Sequence, residues 1–276
     1  MKLLRLFALP ALAALTLGLP VSAVPDSAPD PWEAALALDV PTALPQFEEA
    51  VENAGPEDNT SRLALASALL LKQPRISSNF ERALRLCEAV IARPDASRDD
   101  AVLARYLANR IRHVHLTPPD LSRVRAGYEE LLRDYPEHPL ANQAAVKLVI
   151  MDLYEDPPAD LATARARANE LLQVTTDADA RREIHYILGR EAWLNLQDGP
   201  LALRHLIAAR ELDFQTLDRN SDVDIAIAGI AREIGRPEIA LTHYQRFLED
   251  KKRDSRVTTV RQIVDELRTQ IGEDAP

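Results

Sequence analysis

The chain holds a single cysteine, Cys87, among 276 residues, only eight glycines and 5% aromatics. One cysteine excludes an intrachain disulfide. It lies in E-R-A-L-R-L-C-E-A-V-I at helical core spacing, which predicts a small buried hydrophobe and not a nucleophile. Scarce glycine in an Ala- and Leu-rich chain favours helix over sheet, and no alternating apolar–polar run of strand type stands out. Also missing are a phosphate-cradling Gly loop, a G-x-S-x-G elbow, an H-E-x-x-H pair and a Ser-His-Asp candidate. Nothing points to catalysis, a cofactor or a metal.

Positive charge is in deficit as well. The formal net charge is −10, from 33 Lys and Arg against 43 Asp and Glu. Phosphate binding needs a basic footprint, so nucleic acid is excluded as a partner. The charged fraction of 28% with mixed signs describes an ordinary solvated surface around a core of ample size.

One long apolar run is present, at the start. Lys2 and Arg5 precede Leu6 to Leu17, and Val21-Ser22-Ala23 follows with small residues. This is the three-part pattern of a secretory signal peptide over residues 1–23. Pro10, Gly18 and Pro20 and the A-x-A-like end disfavour an uncleaved membrane anchor, and no Cys follows to carry a lipid. Cleavage would remove two positive charges and leave 31 against 43, a net −12, with no integral membrane segment in the mature chain. The expected location is across the inner membrane, periplasmic or associated with the outer membrane. Residues 24–31 read as a Pro- and Asp-rich linker, and 32–276 as one helical domain.

Nineteen prolines fall mostly between periodic segments, where they stop one helix or start the next. A short helix is expected from Trp32, with Asp30 as N-cap and Pro31 at its first position, and a second from Pro41 to the Gly55-Pro56 break. Pairs follow at 59–71 with 79–92, 98–115 with 121–135, and 140–154 with 159–174. The clearest pairs lie in 178–213 and 220–250, the latter with capping candidates between Asp218 and Asp224 and a box-like Ser221-Asp222-Val223-Asp224. A last helix runs from about Arg256 to Ile271, with Ser255 before it and Gly272 after it. Its stripe of Val257, Val260, Ile263, Val264 and Leu267 suits an end cap docking on the preceding pair better than a self-association face. Gly189 and Gly229 lie 40 residues apart, as do Leu201 and Leu241. A helix–turn–helix unit recurring near that period cannot bury its own apolar face and must stack on neighbours.

On these residues the sequence resembles a tetratricopeptide repeat protein of exported bacterial type. With Gly189 at the family's eighth position, Ala192, Leu201, His205 and Ala208 fall on its other core positions; Gly229 does the same for Leu241, with Tyr244 and Phe247 one residue early. A-G-Y-E-E-L-L-R-D-Y-P-E-H-P is similar to second-helix endings in envelope repeat proteins such as outer-membrane assembly factors. The resemblance covers most of 59–250. It implies an all-α solenoid of stacked antiparallel helix pairs, about five to six of them plus a C-terminal capping helix. It also implies a non-enzymatic scaffold that holds a protein or extended peptide on a concave face lined by the first helices. Periods vary at loops 116–120 and 155–160, and the twentieth position is Leu where Ala is usual.

On those first helices Arg105, Asn109 and Arg112 share a stripe, Asn142 and Lys147 lie on the next, and Tyr186, Arg190 and Trp193 on the one after. Such a basic and aromatic lining would draw a carboxylate-bearing segment, within an envelope complex. Arg105 and Asn109 resemble half of the family's carboxylate clamp, while Glu183 and Ile187 stand where the clamp has basic residues. A merely solvated helix face remains the plain reading of the same stripes. Trp193 reads equally as a groove anchor or as core between repeats, and Trp32 as a staple for the first pair. His113 and His115 point apart; His185, His205 and His243 sit on separate helices and read as packing. The rival reading is a helical enzyme or accessory factor in cell-envelope polymer processing. It would need Glu183, Glu191, His185 or Asp224 to meet inside a cleft.

Overall fold

The computed structural model describes residues 39–272 except 54, 56, 57 and 159. The leader, the linker, the helix at Trp32 and Pro56 lie outside the described residues. Every regular element among those described is helical. The chain divides into two compact units, one ending at Asp120 and the other beginning at Leu121. The expected pair 98–115 with 121–135 straddles that division.

The first unit contains α1 (Val40–Asn53), α2 (Asn59–Leu71), α3 (Ser77–Ile91) and α4 (Arg98–Val114). Each packs on the next, and α2 also meets α4. Sequence explains the starts. Asp58 Oδ1 accepts from Ser61 N at 2.9 Å, and Ser97 Oγ from Asp100 N at 3.1 Å. Asp99 and Asp100 in the first turn of α4 add charge of the sign that its amide end favours. Phe47, Leu63, Leu69, Ala83, Cys87, Val90 and Ile111 close one apolar core.

The second unit contains α5 (Leu121–Asp134), α6 (Pro139–Ile150), α7 (Leu161–Val174), α8 (Ala178–Leu194), α9 (Gly199–Glu211), α10 (Leu217–Glu233), α11 (Pro237–Asp250) and α12 (Val257–Ile271). α6, α8 and α10 begin 39 residues apart, and α7, α9 and α11 begin 38 apart. Side chains stitch one repeat to the next across a slightly shorter span: Asn142 to Thr176, Glu183 to Arg219, Asp218 to Lys251, and Asp222 to Arg256 are 33 to 36 residues apart. Consecutive helices are in contact throughout this unit. Each unit is thus an array of stacked helix hairpins, an α-solenoid pattern. Val257, Val260, Val264 and Leu267 of α12 are buried in the core shared with α11, so the stripe closes the array as an end cap.

The two repeated glycines have different surroundings. A Cβ at Gly189 would meet Leu206 Cγ at 2.7 Å and Leu206 N at 3.1 Å, so α8 and α9 approach where only glycine fits. A Cβ at Gly229 would meet nothing within 4 Å.

Three local expectations are corrected. α10 starts at Leu217, before Ser221, whose hydroxyl donates back to Leu217 O at 2.7 Å. Asp224, the last of the supposed box, is fully buried inside the helix. At α12 the Asp254 carboxylate accepts from the backbone and guanidinium of Arg256, and Ser255 caps nothing. The end of α6 widens into a π-turn over Met151–Glu155, which buries Asp152 among Arg125 and Arg167.

Candidate functional site

Of the stripe on α4, one residue faces a neighbouring helix and one is interior. Arg112 reaches Glu88 on α3 at 2.7 Å, and Asn109 is buried. Arg105 is half-buried, has no ion-pair partner among the described residues, and leaves its Nε buried without a hydrogen bond. Spacing put the three on one stripe; packing divides them between the interior and the open side.

In the second unit Asn142 is structural. Its side chain is fully buried, donates to Pro136 O and His138 O at 2.9 and 3.1 Å, and accepts from Thr176 N and Asp177 N at 2.7 and 3.2 Å. All of its polar capacity is spent on joining the start of α6 to the start of α8. Lys147 is half-buried on α6.

Tyr186, Arg190 and Trp193 come together on α8 at i, i+4, i+7, half-buried and partly exposed. Tyr186 and Trp193 rest on the apolar core that runs from α8 to α12, so the anchor and core readings of Trp193 both describe part of it. The Arg190 guanidinium lies 5.9 Å from the Tyr186 ring centroid, with Nη1 at 3.5 Å from the hydroxyl. It has no carboxylate partner among the described residues. Tyr186 meets Phe214 edge-on, centroids 5.6 Å apart at 79°. Arg219, from the first turn of α10, sits 5.2 Å from Tyr186 and 4.5 Å from Phe214 and is held by Glu183 at 2.7 Å. Arg182 closes the other side, 5.2 Å from Phe214, bonded to Asp179 and to Asp213 O.

The result is an aromatic platform with two locked cations and one uncommitted cation. Locked arginines stiffen the rings, because each is held by a carboxylate on one side and a ring on the other. On α10, Asp222, Ala226 and Glu233 are exposed and Gly229 is half-buried. Phe214, Arg219 and Arg182 were not among the residues expected from spacing. Phe214 sits between helices, where helical periodicity is silent. The available signal was the 36-residue separation of Glu183 from Arg219, close to one repeat.

The acids and histidines that a catalytic reading needs are each taken up between packed helices. Glu191 pairs with Arg165 at 3.0 Å, and Glu183 with Arg219. Asp224 accepts from Arg210 Nε at 2.9 Å and meets His243 Nδ1 at 2.7 Å; this one His–carboxylate pair is buried, at 0% and 4% exposure. His185 faces His205. Among the described residues no three His, Cys, Asp or Glu gather as metal ligands. Burial pushes the Cys87 thiol up to about 12, which keeps it protonated and unreactive. No helix among the described residues is long and apolar enough to cross a membrane.

No family model and no curated protein matches the chain. Among solved structures it is similar to a thermophilic TPR protein of Thermus thermophilus, with 18% identity and a TM-score of 0.38, over 76% of this chain and 99% of that one. At that level of likeness the fold rests on this chain's own hairpins.

Proposed function

We propose that this chain is an exported, non-enzymatic repeat scaffold that grips an acidic, extended segment of a protein partner on the first-helix side of its second unit. The observation that carries the reading is Arg190, a half-buried cation stacked on Tyr186 with no carboxylate partner among the described residues, in a chain of net charge −10. A partner carboxylate would give it bidentate hydrogen bonds over an aromatic surface already fixed by Phe214 and Arg219. Arg105 in the first unit is a second half-buried cation with no ion-pair partner among the described residues. The basic, apolar and small-residue order of residues 1–23 supports export, and with it an envelope partner.

The test is a crosslinking pull-down from the envelope fraction with the mature chain and its Arg190→Glu form. Replacing one charge-assisted contact by repulsion costs about 1.5–3 kcal/mol, so capture should fall roughly 10- to 100-fold with the thermal melt unchanged. Arg112→Glu serves as the contrast: it breaks the Glu88 pair and should lower stability while leaving capture intact. Equal recovery with Arg190→Glu and the parent chain would refute the assignment.

A further inference from the structure

His185 on α8 and His205 on α9 place their Nδ1 atoms 3.1 Å apart, with ring centroids 5.3 Å apart and tilted by 46°. At that separation one Nδ1 must donate and the other accept. The neutral pair satisfies this with one Nδ1–H between the rings. A first added proton can go to Nε2 of the donor ring, which leaves the bond in place. A second must go to the accepting Nδ1, and would set two N–H groups head to head.

The surroundings offer that second proton no compensation. The charges felt by the pair are Arg181, one turn before His185 on α8, and Arg204, beside His205 on α9. Among the described residues neither ring has a hydrogen bond or ion pair to a carboxylate, whether from α6 or α7, which pack on α8, or from α10, which packs on α9. His205 itself is 5% exposed. We propose that His185 and His205 form an acid-sensitive latch on the α8–α9 hairpin, closed while the pair holds at most one added proton and opened by the second. The latch lies in the same hairpin as Tyr186 and Arg190 but does not depend on their binding role.

Burial, the neighbouring His185 and Arg204 hold His205 down to about 4, and His185 is lowered in the same direction by burial and by Arg181. A folded value below the unfolded one of about 6.5 means that the unfolded chain binds the proton better. Stability from the latch is therefore complete above about pH 6.5 and lost progressively as pH falls towards 4. At pH 5 the ratio of unfolded to folded chain should exceed its value at pH 7.5 by up to roughly thirty-fold from His205 alone.

The experiment compares thermal and urea unfolding of the full chain and its His205→Asn form at pH 7.5, 6 and 5. Asparagine places a neutral amide where Nδ1 sat, so the variant should lose most of that acid-induced component. An unchanged pH dependence in His205→Asn would overturn the proposal. Imidazole NMR titration of the unmodified chain decides independently if the variant does not fold: two rings titrating together near 6.5 would also overturn it, whereas one depressed and one strongly depressed ring would support it.

Discussion

Gly189 and Gly229 lie 40 residues apart in helices that begin 39 apart, so buried Ala228 takes the place of Gly189 in the next repeat, and alanine should harm the protein at 189 and help it at 229. In the interior of α10, Gly229→Ala removes the entropy penalty of glycine in a helix, about 1 kcal/mol, and its new methyl meets nothing within 4 Å. For a body of this size that raises the melting temperature by roughly 2–4 °C. Gly189→Ala gains the same propensity term in α8 but drives a methyl to 2.7 Å from Leu206 Cγ and 3.1 Å from Leu206 N. A rotamer change can relieve the side-chain overlap, but only parting α8 from α9 relieves the backbone one. Overpacking of this kind costs about 1–3 kcal/mol, and the backbone contact places it at the upper end. The net loss is about 2 kcal/mol, a fall of roughly 4–8 °C. Circular-dichroism melts of both variants and of Gly189→Ala/Leu206→Ala are sufficient. Trimming Leu206, itself 2% exposed, opens a cavity but relieves the side-chain overlap and leaves only the backbone contact, so the double change should cost less than the two singles combined. Equal stabilisation by both glycine replacements would refute the close approach of α8 and α9.

Asn142→Ala leaves Thr176 N and Asp177 N without their buried acceptor and should cost about 2–4 kcal/mol, read as a lower urea midpoint with an unchanged slope. The Asp254 carboxyl, bonded to the Arg256 side chain and backbone, is held down to about 2. Its stabilisation is present above about pH 4 and is lost as pH falls through that folded value; carboxyl NMR should show this, and Arg256→Gln should return Asp254 towards the ordinary range.

Helices were legible wherever apolar spacing persisted over three turns, as in α8 and α10, and so was the Gly272 stop, which adopts φ 76°. The direction in which a polar stripe faces was not. Residues at i, i+4, i+7 share a side, but in a stack that side can meet solvent or the neighbouring repeat. Arg112 found Glu88 and Asn142 found the loop of the next repeat, while Arg105 and Arg190 kept their charges uncommitted. Each outcome depends on the rotation of one helix against another, which spacing within a single helix does not encode. Capping failed for a related reason. Ser255 is a good N-cap by composition, but Asp254 and Arg256 bond each other on either side of it and set the chain's entry into α12. The Phe214–Arg219 half of the platform was hidden because it comes from a connection and a first helical turn, where no periodicity has yet built up.

If Arg190 and its platform hold the partner, that partner lies along the first helices of the second unit. A photo-crosslinking residue placed at Ala226, exposed on α10, and separately at Arg204, exposed on the second helix α9, tests this in the native envelope. The expected result is a discrete crosslinked partner from position 226 that disappears with Arg190→Glu, and none from position 204. A partner captured from position 204 and not from 226 would contradict it.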